Sequence, residues 1–228
     1  MKSFLTILIF SFIFCSANSQ TDAIGDFNKH VIEKWSEDFI RISQYKVKGS
    51  PYLLGESFDG ALTVKSGVVA SNQKILYDIY SQKVGVEMNK ELVKPDGEVT
   101  SFFIQLPEKF GNEKLEFINA STLKNVSLNG YLNMLETGNK LILLRQYKTR
   151  VIADPANMYS KDFRIFEQYY DYYFYNTATA SLEKFRLKQK DVVSALTGMP
   201  ASVINLANSY NFSTLNSVRE FVKKVNAN

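Results

Sequence analysis

The stretch FEQYYDYYFY, residues 166–175, concentrates phenylalanine and tyrosine in a pattern that favours a β-strand. In a strand, one face would carry Phe166, Tyr170, Tyr172 and Phe174, and the other Tyr169, Tyr173 and Tyr175. A central strand covered on both faces has this pattern, and this is the favoured interpretation. The functional alternative is an aromatic platform for glycan rings or a partner strand, with binding residues Tyr169, Tyr170, Tyr172 and Tyr173.

A second feature begins nine positions after that stretch, where cations recur at every second position: Lys184, Arg186, Lys188 and Lys190. In a strand these cations would share one face, and Phe185 and Leu187 would lie on the other. A solvated face or an aggregation-resistant edge is the favoured interpretation. The alternative is that Lys184, Arg186 and Lys188 bind a phosphate-rich envelope lipid or an acidic glycan.

Outward from these stretches, the hydrophobic period is two from about residue 60 to residue 188. We expect eight or nine strands, and no long helical pattern separates them, so the sheet should be antiparallel. A turn is predicted at 71–73, another at 95–97, and a hairpin turn at 137–139. The predicted strands lie near 61–70, 74–81, 84–88, 99–106, 115–118, 126–135, 140–152, 163–176 and 182–187.

Helical spacing marks both ends of the chain. Residues 24–42 predict an amphipathic helix, and residues after 190 predict three short helices, the last with a cap at Ser213. The predicted fold class is α+β: an N-terminal amphipathic helix, a curved antiparallel sheet of about eight strands forming a meander or half-barrel, and three short C-terminal helices. The predicted segments are a signal peptide at 1–19, a helical segment at 20–48, a β domain at 49–190 and a helical segment at 191–228.

The first nineteen residues have the layout of a secretory signal peptide. Lys2 precedes an apolar core over 4–15, and Ala17 and Ser19 occupy the −3 and −1 positions of a cleavage site before Gln20. The core has twelve residues, whereas a membrane-spanning helix needs about 20, so we expect no transmembrane anchor. A lipid anchor on Cys15 is the disfavoured alternative, because the bulky Phe14 precedes it. Export to the periplasm, the outer-membrane surface or the medium is therefore expected.

Cleavage would remove Cys15, the only cysteine, so disulfides, thiol nucleophiles and cysteine-ligated zinc are excluded from the mature chain. The mature chain would carry 26 cations and 23 anions. This small excess gives no reason to expect a nucleic-acid partner.

Short motifs resemble a family of hypothetical secreted proteins from the Bacteroidota. They are the run GSPYL at 49–53, Phe58 and Gly60 before a strand, and LYDIY at 76–80, with a helical tail at 191–225 of similar rhythm. The chain departs from that family's pattern in its long N-terminal helix and its richer tyrosine run. No activity is assigned to the family, so the resemblance implies compartment and architecture and no functional residue.

The sequence contains few residues typical of catalytic, metal-binding or cofactor-binding motifs. His30 is the only histidine, and a surface position on the N-terminal helix is favoured for it over a catalytic or metal-binding role. Glu167 and Asp171 are too far apart in an extended segment to work as a glycosidase pair, so we interpret them as solvated charges. The sequence has no phosphate-binding loop, dinucleotide fingerprint or EF-hand loop. We therefore predict no catalytic residue, no metal site and no cofactor.

The leading functional hypothesis is an exported, non-enzymatic envelope protein, acting as an interaction or structural module. Its partner would be an envelope protein, a glycan or a lipid. The alternative is a periplasmic carrier of a lipid or another apolar ligand, held in a half-open sheet. A carrier requires a cavity of several hundred Å³ lined by apolar side chains.

Overall fold

The computed structural model describes residues 46–89, 91–157 and 163–227. The predicted signal peptide, the predicted helix at 24–42, Cys15 and His30 lie outside these residues. The described strands are β1 (Lys46–Lys48), β2 (Phe58–Val64), β3 (Val69–Asp78), β4 (Lys83–Met88), β5 (Glu91–Val93), β6 (Val99–Gln105), β7 (Lys114–Asn119), β8 (Tyr131–Glu136), β9 (Leu141–Ala153), β10 (Phe163–Asn176) and β11 (Ser181–Phe185). The described helices are α1 (Gln189–Ser194), α2 (Ala201–Asn208) and α3 (Leu215–Ala227).

The predicted fold class is wrong, because the sheet has more than about eight strands and is not purely antiparallel. The described strands form one eleven-stranded sheet in the order β1-β10-β9-β8-β7-β6-β2-β3-β4-β5, and β11 also pairs with β10. The sheet is mixed, because β1 runs parallel to β10 whereas the other pairs are antiparallel. The strands missed are β1 and β5, each of three residues, which is too short for a period-two pattern to emerge.

The first predicted turn is also wrong. Chain reversal between β2 and β3 occurs earlier, around Gly67, whose φ is +87° and whose N–H donates to the Val64 carbonyl over 2.9 Å. Residues 71–73 lie within β3, where the register against β2 shifts and Asn72 adopts a φ of +55°. Polar residues that tolerate positive φ occur in bulges as well as in turns, which explains the error.

A first core fills the concave face of β2–β4 and β6–β8. The Phe102 and Phe117 rings stack at 4.6 Å, and both lie edge-on to Tyr77 at 5.3 and 5.4 Å. Tyr131 completes the group at 5.1 Å from Phe102. Burial raises the pKa of Tyr131 to about 12, consistent with a site that excludes water.

The sheet curls until the β3–β4 turn reaches β9. Pairing of β8 with β9 begins at Arg145, and beyond it the Gln82 side chain takes the place of a strand partner. Its Nε2 donates to the Tyr147 carbonyl over 2.9 Å, and its Oε1 accepts from the Tyr77 hydroxyl over 2.8 Å. One amide therefore joins two distant parts of the sheet and closes one end of the first core.

A second core lies between the sheet and the three helices. Phe174 of β10 stacks on Phe185 of β11 at 4.2 Å, under helices whose apolar side chains meet the same cluster. Near the end of α3, Asn226 accepts from the N–H groups of Lys140 and Leu141, which fixes the helix to the start of β9. Thr214 caps α3 in place of the predicted Ser213, since its Oγ1 accepts from the Ser217 N–H.

A third core covers the opposite face of β8–β10. Leu132, Leu144 and Tyr173 are buried there beneath Val126 and Leu128. Val126 and Leu128 belong to the strand predicted at 126–135, but β8 begins only at Tyr131, and residues 126–130 form a loop. Burial against a sheet face, without strand pairing, explains these apolar residues. None of the described helices is long and apolar enough to cross a membrane.

Candidate functional site: the open segment of strand β10

Strand β10 pairs with β9 from Arg164 to Asn176 on one edge. On its other edge, β1 pairs with residues 163–165 and β11 with residues 172–176. Within the described part of the chain, residues 166–171 have no strand partner on that second edge. We call these residues the open segment. In an antiparallel strand every second residue directs its N–H and C=O away from its partner, so this edge presents backbone donors and acceptors.

The four tyrosines predicted to form an aromatic platform differ in exposure on the two sides of Asp171, the last residue of the open segment. Tyr172 and Tyr173 are 7% and 6% exposed, packed in the second and third cores. Tyr169 and Tyr170 are 40% and 52% exposed and lie on opposite faces of the strand. Burial raises the pKa of Tyr172 and of Tyr173 to about 12. The structure therefore leaves two of the four predicted tyrosines available for a partner.

On the concave face, Tyr170 belongs to a cluster that the sequence did not reveal. The Arg145 guanidinium lies 4.4 Å from the Tyr147 ring centroid and 5.8 Å from that of Tyr170. Arg145 Nη2 donates to Asn133 Oδ1 over 2.9 Å, whereas its buried Nε has no hydrogen-bond partner among the described residues. Stacking on tyrosine faces holds this arginine in a fixed orientation beside the open segment.

On the opposite face, ion pairs surround Tyr169. The Arg150 guanidinium lies 5.6 Å from the Tyr169 ring and 2.6 Å from the Glu167 carboxylate. Asp171 contacts Lys148 at 2.9 Å and Lys184 at 2.7 Å. Burial alone would raise the pKa of Asp171, but hydrogen bonds from the two lysines outweigh it and lower the pKa. Glu167 and Asp171 are the two carboxylates considered as a glycosidase pair. Each of them forms ion pairs with cationic side chains.

The predicted stripe of cations does not form one strand face. Lys184 lies in β11 and pairs with Asp171, but the strand ends at Phe185. Arg186 pairs with Asp191 at 3.0 Å, and Lys188 precedes α1 as its N-cap residue. The cations instead mark the point where β11 leaves β10, next to the open segment.

The other end of the open segment is shaped by residues 49–52, which cross from β10 to β3. Gln168 Nε2 donates to the Tyr52 carbonyl over 2.9 Å, and the Ile79 N–H donates to the Pro51 carbonyl over 2.9 Å. The Tyr80 ring meets Phe166 edge-on at 5.9 Å. Gln168, Tyr80, Arg145 and Tyr147 join the site through contacts between distant residues, and no local pattern in the sequence indicates them.

Within the described ranges, no group of histidine, cysteine, aspartate or glutamate side chains could hold a metal ion. Among the described residues, the arrangement around β10 combines a strand edge without a strand partner, two exposed aromatic rings and flanking cations. These features suit recognition of an extended chain. No family model, no curated protein and no solved structure matches this chain.

Proposed function

We propose that this chain is an exported, non-enzymatic interaction module that binds an extended segment of a partner protein along the open segment of β10. The observation that carries the proposal is the gap between β1 and β11 on one edge of β10. An edge with unpaired backbone groups is the template for strand addition. The opposite sheet edge is a poorer template, because β5 has three residues and Pro95 follows it closely.

The length and flanks of the gap define the partner segment. Gly49 lies against the Phe166 backbone, where a Cβ on it would be 3.6 Å from the carbonyl oxygen, so residues 167–171 offer room for a strand of about five residues. Tyr169 would contact one face of the added strand and Tyr170 the other.

The carboxylates of the open segment, Glu167 and Asp171, are paired with cations, and Arg186 is paired with Asp191. The exposed Lys188 lies beyond the end of β11, and Arg145 lies behind Tyr170. Charge complementarity therefore favours an acidic partner segment.

Export is the second part of the proposal, and the sequence of the first twenty residues supports it. The mature chain would begin at Gln20 and act in the periplasm, at the outer-membrane surface or in the medium. The resemblance to secreted Bacteroidota proteins supports the same compartment. N-terminal sequencing of the protein recovered from each cell fraction tests this part, and an intact Met1 in the mature protein would contradict it.

A carrier with its ligand inside the curved sheet receives less support. The concave face of β2–β4 and β6–β8 is occupied by the packed rings of Tyr77, Phe102, Phe117 and Tyr131. A glycan or lipid could contact the exposed tyrosines without using the backbone edge. Identification of the cross-linked molecule by mass spectrometry distinguishes such a partner from a protein segment.

The test replaces Tyr169 or Tyr170 by the photo-crosslinking amino acid p-benzoylphenylalanine, in the full chain expressed in its native cell. The control carries the same residue at Val69, which is 55% exposed on the β2–β3 hairpin. We expect one protein to be cross-linked from positions 169 and 170 and not from 69, through an acidic segment identified by mass spectrometry.

A synthetic peptide of that segment should then slow hydrogen exchange at residues 166–171 of the purified protein. A glycan or lipid adduct, an equal adduct at position 69, no adduct at all, or unchanged exchange with the peptide would each contradict the proposal.

A further inference from the structure

A cavity of about 660 Å³ lies at the far end of β10, away from the open segment. It is bounded by the β8–β9 and β10–β11 turns, by residues 198–200 and by α2 and α3. Its apolar wall is formed by Met199, Val203, Leu206 and Val225. The volume is in the range of small-molecule sites, which is roughly 300–1,000 Å³.

Asn176, the last residue of β10, lines this cavity and is 4% exposed. Its Oδ1 accepts from the N–H groups of Ala178 over 3.0 Å and Thr179 over 3.4 Å. These two donors fix the orientation of the amide, since only the oxygen can face them. Nδ2 is therefore directed elsewhere.

The Asn176 Nδ2 is buried and has no hydrogen-bond partner among the described residues. It faces Gly198, another residue of the cavity, because a Cβ placed there would lie 3.7 Å from Nδ2. Gly198 has a φ of +80°, which favours glycine, and the Thr179 side chain lies in the same space, with Cγ2 3.2 Å from that Cβ position. A buried donor without an acceptor is unfavourable, so an acceptor supplied by a ligand would stabilise it.

Further positive potential comes from α2 and from Lys140. Helix α2 has no side-chain cap, and the cavity is lined by its N-cap residue, Pro200, and by Ser202 of its first turn. Its first N–H groups therefore add to the positive end of the helix dipole. Lys140 also lines the cavity, and no aspartate or glutamate does so among the described residues.

We propose that this cavity binds a small amphiphilic carboxylic acid. Its alkyl or aryl body packs against Met199, Val203 and Leu206. Its carboxylate accepts from Asn176 Nδ2 and lies at the start of α2, displacing the exposed Thr179 side chain, which lies beside Gly198. The site is independent of the open segment, so either proposal can fail without the other.

The test is isothermal titration of the full mature chain with octanoate, with 1-octanol as the neutral comparison. Asn176→Asp keeps the oxygen that the Ala178 and Thr179 N–H groups require and removes the Nδ2 donor. We expect this variant to lose at least tenfold in octanoate affinity. The control Asn205→Asp adds the same charge at an exposed position of α2 and should leave the affinity within twofold.

A second variant, Val203→Trp, fills the cavity and should abolish binding without lowering the melting temperature by more than a few degrees. It decides the question if Asn176→Asp does not fold. Equal affinity for octanoate and octanol, an equal loss in Asn205→Asp, unchanged binding in Val203→Trp, or no octanoate binding by the wild-type chain would each overturn the proposal.

Discussion

The two halves of strand β10 carry the same kind of side chain in different surroundings. Residues 172–176 have β9 on one edge and β11 on the other, and their aromatic rings are buried on both faces. Residues 166–171 have β9 alone among the described strands, and Tyr169 and Tyr170 remain exposed. Whether a tyrosine of such a strand is buried or exposed therefore depends on what pairs with the strand's edge and what covers its faces.

The largest expected effect on the free energy of unfolding is in residues 172–176, the closed half of β10. Phe174→Ala removes a ring that is 1% exposed and stacked on Phe185, so it should lower the free energy of unfolding by about 3–5 kcal/mol. Urea unfolding followed by circular dichroism measures it. The matched variant Tyr170→Ala in the open segment should cost less than about 1 kcal/mol. Equal losses would remove the distinction between the halves.

Asp171 lies at the boundary between the halves and joins β9, β10 and β11 through Lys148 and Lys184. Asp171→Asn should lower the free energy of unfolding by about 1 kcal/mol at pH 7, since both lysines are partly solvated. The lowered pKa of Asp171 means that this contribution is present above pH 3.8 and is lost as the pH falls through the native pKa.

Urea unfolding of the two proteins at pH 7 and near pH 2 measures this difference. It should shrink in acid. A difference at pH 2 as large as the difference at pH 7 would contradict the electrostatic explanation. Asp59→Asn, which breaks the more exposed pair with Lys74, should have a smaller effect at both pH values.

Alkaline pH probes the buried tyrosines of the closed half. The native pKa values of Tyr172 and Tyr173 are about 12, above the ordinary value of 10.0, so the folded chain retains protons that the unfolded chain loses. The free energy of unfolding should therefore fall as the pH rises from 10 through 12. Tyr172→Phe and Tyr173→Phe should each reduce that fall in urea titrations at pH 9, 10 and 11. A slope identical to that of the wild type would contradict burial of these hydroxyls.

The smallest effect on stability is expected in the open segment. The double variant Tyr169→Ser and Tyr170→Ser should change the free energy of unfolding by less than about 1 kcal/mol. It should nevertheless weaken binding of the cross-linked peptide at least tenfold in a titration. The control pair Val68→Ser and Val69→Ser removes exposed apolar side chains on the distant hairpin and should leave binding unchanged. Weakening by both pairs would indicate non-specific adhesion.

Local patterns in the sequence predict some of the features that distinguish the two halves of β10. Alternation of aromatic residues correctly predicted a strand at 163–176, and it grouped the side chains by face, because a strand's period is a local property. The three-residue β1, its parallel pairing and the early end of β11 depend on contacts between distant residues. Burial of Tyr172 and exposure of Tyr170 could not be separated, since both occupy the same face of one strand.

Contacts between distant residues also define part of each site. Composition and period indicate Tyr169, Tyr170 and Lys184. They do not indicate Arg145 or Asn176, because an arginine stacked on tyrosine rings and an asparagine without an acceptor are defined only by their neighbours in space.

The most direct test of the proposed open edge is residue-resolved hydrogen exchange along β10 in the purified protein. If residues 166–171 form an open edge, every second amide there should exchange rapidly while those facing β9 are protected. Amides at 172–176 should be protected throughout, because both edges are paired. Uniform protection across 166–176 in the isolated protein would show that the edge is already covered, and it would contradict the proposed docking site.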